Sequence, residues 1–474
     1  MRSEPPDPNF GDTHKKIAVL PFTNIIDDAA QDYFVDGMTE TLITELAQVR
    51  SLRVISRTSV MRYKGSTKGV TEIARELGVS AIVEGSVQRA DGKVSIVAKL
   101  IDALTDEPLW ANRYTESLDN VLQLQANVAL DITRQIDVAL TPTERSKLTT
   151  TPTVNRDALD AYLRGRHFWE QRTRSSFERA LDYFDEAIAL KPDFAQAHAA
   201  IADAHALMAI YEYENPRTSY QRTRSAALSA IALDPTIGEP HSALAMVYTF
   251  LDRDWKLADE AYQRGIELSP NNPNTHLFYA VHLLGAGDLA SAEAEIETAQ
   301  ELDPLVPLAG SFETQLNYYR RQPQRAIETA KRSLELNPNF PATLWHLGEA
   351  YLAANQNAEA ARTFERIADL TGRHPMFLAH LGQAYLRLGR TDETQAIIRE
   401  IQTNTEDPAV EAGRLARIYV EQGDNDRAVA ALVQSLPAAQ RQILDLARGP
   451  KWDPLRSHSG FRELLAELGF AGSK

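Results

Sequence analysis

Beyond residue 155 the apolar positions fall three and four apart in blocks that recur, the pattern of amphipathic helices packed in series. One phrase that closes a helix returns five times: Ala-Ile-Ala-Leu-Lys-Pro192, Ala-Ile-Ala-Leu-Asp-Pro235, Gly-Ile-Glu-Leu-Ser-Pro270, Ala-Gln-Glu-Leu-Asp-Pro304 and Ser-Leu-Glu-Leu-Asn-Pro338. The prolines are spaced 43, 35, 34 and 34 residues apart. A second phrase, Leu-(Gly/Ala)-x-x-Tyr, appears at Leu244, Leu347, Leu381 and Leu415, the last three 34 apart. Leu, a small residue and Tyr in this spacing share one helical face, and the small residue lets a partner helix come close. A turn follows, such as Gly287-Asp288, then a second helix with a small and a larger residue four apart: Ala258 and Tyr262, Ala292 and Ile296, Ala360 and Phe364. Proline then ends that helix. A single hairpin cannot hide its apolar face, so hairpins stack. About eight are expected over residues 156–436. The hairpin from 195 to 235 carries an insertion around Tyr211–Pro216. That from 307 to 338 has Glu313, Thr314 and Asn317 where Leu, Gly and Tyr are expected, which leaves its first helix in question. Residues 437–474, with Trp452-Asp-Pro-Leu and the stripe Phe461, Leu464, Leu465, Leu468, read as capping helices.

The first part of the chain follows another rhythm. Ile17–Phe22 is a short apolar run, a buried strand. Residues 32–50 carry Phe34, Met38, Leu42 and Leu46 at helical spacing, and Leu52–Ser56 reads as a second strand. A short helix over 70–77 is closed by Gly78. Residues 81–89 and 93–103 are β-rich runs joined across Asp91-Gly92, a hairpin signal. A third run covers 109–115, and a helix covers 118–140. The fold class expected is therefore α+β overall: a mixed α/β domain over 15–140, a tail over 1–14, a Thr- and Pro-containing linker over 141–155, and an all-α solenoid.

Composition and charge narrow the chemistry. The 474 residues have a net charge of −15, and both parts are acidic: −4 over the first 150 residues and −11 over the rest. Nucleic-acid binding needs a basic footprint, which neither part offers. No apolar stretch is long enough to span a bilayer, so direct membrane insertion is not expected. The amino terminus lacks the apolar stretch of a signal peptide, which points to the cytoplasm, or to the periplasm if the chain is a fragment that follows an anchor. With no cysteine, disulfides, thiolate metal sites and cysteine nucleophiles are excluded.

The repeats resemble the tetratricopeptide repeat, whose period is 34. The leading domain resembles the TolB-like amino-terminal domain that accompanies such repeats in bacterial regulators. The matching stretches are Ile17–Phe22, Tyr33–Glu40, Leu52–Ser59, Arg62–Gly65, Ile73–Val79 and Val83–Val87. In that family the pair often follows a winged-helix DNA-binding domain, a kinase or a cyclase. The resemblance implies an accessory or signalling module and supplies no catalytic residues.

Candidate sites follow. The resemblance implies that first helices line the concave face and that ligand contacts come from set repeat positions, here Asn274, Val281, Tyr319, Trp345, Glu349, Gln383, Arg387 and Arg417. Trp and Tyr suit anchor roles because they bury much area at low entropic cost. The expected partner is a protein or peptide, held as an extended or helical segment. A basic run, Arg53, Arg57, Arg62 and Lys64, offers an alternative: an anionic small molecule sensed by the α/β domain. His198, His241 and His276 occupy equivalent repeat positions, about 10 Å or more apart, too far to share a metal. No phosphate-cradling loop, Gly-x-Ser-x-Gly elbow or metal-ligand motif is present, so neither cofactor nor enzymatic activity is expected.

Overall fold

A computed structural model describes residues 15–25, 31–149, 155–436 and 442–470. The chain forms two compact units: one takes residues up to 197 with the turns 267–272 and 302–304, and the other takes the remainder.

The first unit is built on a mixed sheet. Its strands are β1 (Lys15–Val19), β2 (Thr23–Asn24), β3 (Leu52–Val54), β4 (Ala81–Ala90), β5 (Lys93–Asp102) and β6 (Pro108–Ser117). They lie in the order β3-β1-β4-β5-β6, with β2 also paired to β4. β1 runs parallel to both neighbours, with Ile17 opposite Val54 and Ala81. Its central place explains the unbroken apolar run, since Ile17, Ala18 and Val19 are wholly buried. β4 and β5 form the expected hairpin. Asp91 and Gly92 both have positive φ, as a two-residue turn that matches strand twist requires. Helices α1 (Asp32–Ala47), α2 (Arg57–Val60), α3 (Val70–Leu77) and α4 (Val121–Gln135) complete the domain. α4 is shorter than the 118–140 expected at both ends: residues 118–120 form a separate tight turn ahead of it, and beyond Gln135 the chain leaves the helix through Asp137, whose φ is 52°.

The segment read as a linker is structured in its first half. Pro142–Thr149 is a helix, α5, with Leu148 buried. The Glu144 carboxylate accepts from the Arg50 and Thr141 backbone N–H groups at 2.9 and 2.8 Å. Proline at the first helical position and that carboxylate favour a helix start, signals that the Thr-rich composition obscured. Residues 150–154 lie outside the described residues. The hairpin α6 (Arg156–Trp169) and α7 (Arg174–Leu190) belongs to this first unit.

The repeats continue as α8 (Ala195–Ile210), α9 (Pro216–Leu233), α10 (Glu239–Val247), α11 (Trp255–Leu268), α12 (Pro273–Ala286), α13 (Leu289–Leu302), α14 (Pro307–Tyr319), α15 (Pro323–Leu336), α16 (Pro341–Ala353), α17 (Asn357–Leu370), α18 (Pro375–Arg387), α19 (Thr391–Thr403), α20 (Pro408–Glu421) and α21 (Asn425–Ser435). The small residue of the recurring phrase does what close packing demands. A Cβ on Gly348 would stand 2.5 Å from the ring of Phe364 on the partner helix. The questioned helix α14 forms completely. Its out-of-pattern polar side chains are satisfied locally: Thr314 donates to the Gly310 carbonyl at 2.7 Å, and Asn317 donates to Thr329 at 3.3 Å.

The C-terminal segment departs from simple capping at the end of the stack. Its helix α22 (Gln442–Arg448) packs on α12, the tight turns of Pro450–Leu455 pack on α20, and α23 (Ser459–Glu467) packs on α21. Gly285 in α12 makes room, since a Cβ there would stand 2.6 Å from Leu444 Cδ2. Arg321 donates to the Arg448 carbonyl and to Asp453, both at 2.8 Å. Trp255 donates to the Leu468 carbonyl at 3.1 Å. Trp452, Leu455 and Phe461 are fully buried. The segment thus runs back over the first helices α12 and α20 and also meets the second helices α11 and α21. Residues 437–441 lie outside the described residues.

Candidate functional site: a chamber lined by the first helices

The face shared by the first helices is where the repeat leaves side chains uncommitted to hairpin packing. In the second unit this face and the returning C-terminal segment enclose a cavity of about 600 Å³. Its apolar wall includes Phe278, Val281, Phe312, Trp345 and Met376. Five of the residues picked from repeat position line it: Val281, Tyr319, Trp345, Glu349 and Arg417. Asn274, Gln383 and Arg387 do not. Gln383 is buried and donates to Glu421 at 3.0 Å. Arg387 donates to Glu421 and to the Leu352 carbonyl, both at 2.7 Å. These two side chains bridge neighbouring first helices instead of facing a partner.

Tyr319, Glu349 and Arg417 are also less available than repeat position implied. Glu349 is 4% exposed. Lys451, from the C-terminal segment, places its ammonium 2.5 Å from both Glu349 Oε1 and Asp445 Oδ2. Tyr319 donates to Asp445 Oδ1 at 3.1 Å, and Trp452 donates to Oδ2 at 3.0 Å. Burial alone would push the Glu349 carboxyl up. The Lys451 charge outweighs burial and holds it well below the usual carboxylate range.

His380 is locked as a neutral ring. Its Nε2 accepts from Trp345 Nε1 at 2.7 Å, and Nδ1 lies 3.1 Å from the Met376 carbonyl, to which it donates. Burial, reinforced by Arg417, pushes it down to about 3. Arg417 is less well matched. Glu349 Oε1 stands 3.7 Å from its Nη1. Neither Nε nor Nη1 has a hydrogen-bond partner among the described residues. Burial lowers its basicity in spite of Glu349 and Asp445.

Sequence reasoning missed Lys451, Asp445 and Leu444, which come from about 100 residues further on than Glu349. It also missed His346 and His380, which follow Trp345 by one residue and by one repeat. The recurrence of histidine on the first-helix face was visible, but the network it joins was not.

The basic run in the first unit does not converge on a free site. Arg57 is paired with Glu170 at 3.1 Å and with Glu40 at 3.6 Å. Lys64 is paired with Asp36 at 2.7 Å. Arg53 sits in β3 and Arg62 in the turn after α2. A polar cavity of about 400 Å³ in this unit is lined by other residues, among them Tyr33, Arg89, Asp160 and Arg164. There Asp160 accepts from Tyr33 at 2.5 Å, Arg89 at 2.9 Å and Arg164 at 3.0 Å, so these two arginines share one carboxylate. Of the three equivalent histidines, His276 lies 2.5 Å from a Glu295 oxygen through Nδ1. No helix is long and apolar enough to cross a membrane among the described residues.

Comparison with known proteins identifies the repeats. The tetratricopeptide repeat family matches residues 252–307, 319–378, 375–400 and 412–447. A protein of Rhizobium meliloti (strain 1021) named "Putative adenylate cyclase 3" is 38% identical over 186 residues, covering 39% of this chain and 32% of that protein. The chain thus spans about a third of that relative's length. Among solved structures, Pseudomonas aeruginosa PilF is similar over 48% of this chain and 98% of its own, at 18% identity and a TM-score of 0.36. YrrB, described as a TPR protein with an unusual peptide-binding site, is similar over 40% of this chain and 90% of its own, at 21% identity and a TM-score of 0.27. The C-terminal region therefore carries tetratricopeptide repeats behind a mixed sheet domain, an arrangement that points to a protein–protein interaction module.

Proposed function

We propose that this chain is a non-enzymatic scaffold of a bacterial signalling pathway, in which the repeats hold a short segment of a partner protein. One observation carries the reading. The first-helix face keeps a chamber with Phe278, Val281, Trp345 and Met376 on its wall, each packed against the core yet still partly exposed. Such a cluster of aromatic and flexible apolar side chains is what an anchor side chain fills. Because the C-terminal segment already covers much of the face, the partner contributes a short stretch in place of a long helix. The resemblance of residues 15–140 to TolB-like domains and the adenylate cyclase name of the Rhizobium meliloti relative favour a regulatory setting.

The test is site-specific photo-crosslinking in the full chain. A benzophenone amino acid at Val281 should capture a partner protein. The same group at Leu228, which is 51% exposed on a second helix, should not. Equal capture from both positions, or capture from Leu228 alone, overturns the reading. An anionic ligand at Arg53, Arg57, Arg62 and Lys64 remains the alternative proposal. The carboxylates already facing Arg57 and Lys64 weaken it.

A further inference from the structure

The polar cavity of the first unit holds more positive charge than its carboxylates answer. Three arginines line it, Arg89 from β4 and Arg156 and Arg164 from α6, beside two aspartates, Asp157 and Asp160. Asp160 serves two of the arginines at once: Oδ1 accepts from Arg89 Nη1 at 2.9 Å, and Oδ2 accepts from Arg164 Nε at 3.0 Å. Both its oxygens are engaged, and one positive charge of the three groups is left over. Arg156 adds a second. It is exposed and has no hydrogen bond or ion pair among the described residues. Asp157 sits in the first turn of α6, where the positive end of the helix already favours a carboxylate.

The free donors are reachable. Arg89 and Arg164 keep 16% and 44% of their side-chain surface exposed. No nitrogen of the three arginines is both enclosed and unpartnered among the described residues. A guanidinium has five N–H groups. Arg89 engages only Nη1, with Asp160 and with the Tyr33 hydroxyl at 3.4 Å, which leaves Nε and Nη2 for a ligand. Two of the forks are also held in place. Arg89 stacks on Phe34 and Arg164 on Tyr33, each with its guanidinium carbon 4.8 Å from the ring centre. Stacking fixes the plane of a guanidinium and keeps its N–H edge available.

Size and chemistry restrict the occupant. A cavity of about 400 Å³ admits a small molecule. Every described residue on its wall carries a polar group, so an apolar body finds nothing to pack against. A planar carboxylate is saturated by one guanidinium fork, whereas a tetrahedral oxyanion offers separate oxygens to three. We propose that this cavity binds a phosphate dianion, free or borne by a small polar ester, with Arg156 and the open edges of Arg89 and Arg164 as its donors. The site is separate from the basic run of Arg53, Arg57, Arg62 and Lys64. It goes beyond the scaffold reading and does not rest on it.

Isothermal titration of the full purified chain in a chloride buffer tests the assignment, with inorganic phosphate, glycerol 3-phosphate and succinate as probes. One phosphate-bearing ligand should bind per chain. Tighter binding of glycerol 3-phosphate assigns the site to esters, and tighter binding of inorganic phosphate assigns it to the free ion. Succinate should bind about tenfold more weakly, as one charge-assisted hydrogen bond fewer implies. Arg156→Gln breaks no hydrogen bond or ion pair among the described residues, so the fold should survive it, and phosphate binding should weaken about tenfold or more. Arg113→Gln, at an exposed position of β6, makes the same change in net charge and should leave binding as it was. No saturable binding of either phosphate probe, equal binding of succinate, undiminished binding by Arg156→Gln, or an equal loss in Arg113→Gln overturns the proposal. Crosslinking from Val281 is read independently, so either reading can fail alone.

Discussion

Replacing Lys451 by Met isolates what the returning C-terminal segment contributes. The ammonium lies 2.5 Å from one oxygen of Glu349 and one of Asp445, and the three side chains are 6%, 5% and 15% exposed. At that distance and an effective dielectric of about 20, each pair carries roughly 6–7 kcal/mol of Coulomb attraction. Taking three charges from water offsets most of this, so the intact network is worth little against an apolar replacement of the whole. Removing only the lysine is different. Methionine fills a similar volume, but Glu349 keeps only the long contacts to Arg417 and the two histidines, and burial then opposes its charge. The expected loss is about 3–5 kcal/mol. Adding Glu349→Gln should recover part of it, with a coupling energy of about 1–3 kcal/mol in the double-mutant cycle. Equilibrium urea unfolding followed by tryptophan fluorescence reads both quantities. A loss under about 1 kcal/mol for Lys451→Met, typical of exposed pairs, would refute the claim that these charges are buried together.

Other expectations follow from particular contacts. Gly285→Val should drive a branched side chain into Leu444, costing about 1–3 kcal/mol by overpacking, and should make the chain beyond residue 436 markedly easier to release by limited proteolysis. An unchanged cleavage rate would contradict the contact. Asp303, in the turn 302–304, is buried and accepts from Ser59 at 2.6 Å, and burial raises it from 3.8 to about 6. Its neutral form is therefore the one the fold favours: the contribution is complete below about pH 3.8, is lost as pH rises through about 6, and amounts to about 3 kcal/mol. Asp303→Asn should flatten the pH dependence of the unfolding midpoint across that window, and an unaltered profile would count against it. Trp345→Phe removes the donor that holds the His380 lone pair, so the ring should titrate above its present value of about 3 in an NMR titration; no rise would show that the indole is not its partner.

Most of the architecture was readable because it depends on local periodicity. The 34-residue spacing, the small residue facing Phe364 and the Asp91-Gly92 turn each record a constraint imposed by a neighbour close in sequence. The helix at 142–149 was hidden by its threonines, though Pro142 and Glu144 mark its start. Helix α14 looked doubtful because Thr314 and Asn317 break the repeat pattern, and only the structure shows the partners that satisfy them. The candidate site was half readable. Repeat position found Val281, Tyr319, Trp345, Glu349 and Arg417, all on the chamber. It said nothing of Lys451 and Asp445, because ion pairing across 102 residues leaves no local trace. It also placed Gln383 and Arg387 before a partner, whereas Glu421 on the next first helix takes both.

The first-helix face closes into a chamber only if the C-terminal segment lies against α12. The chain has no cysteine, so one engineered pair reports on that contact without competition. The Cβ of a residue at 285 would lie 3.2 Å from Leu444 Cβ, short of the roughly 3.5–4.5 Å that disulfides span by a few tenths of an ångström that a small shift of α22 supplies. Gly285→Cys/Leu444→Cys should close an intramolecular disulfide under mild oxidation, seen as the loss of two hydrogens by mass spectrometry and of both thiols to maleimide. Two thiols that stay free and reactive in the folded chain would contradict the account.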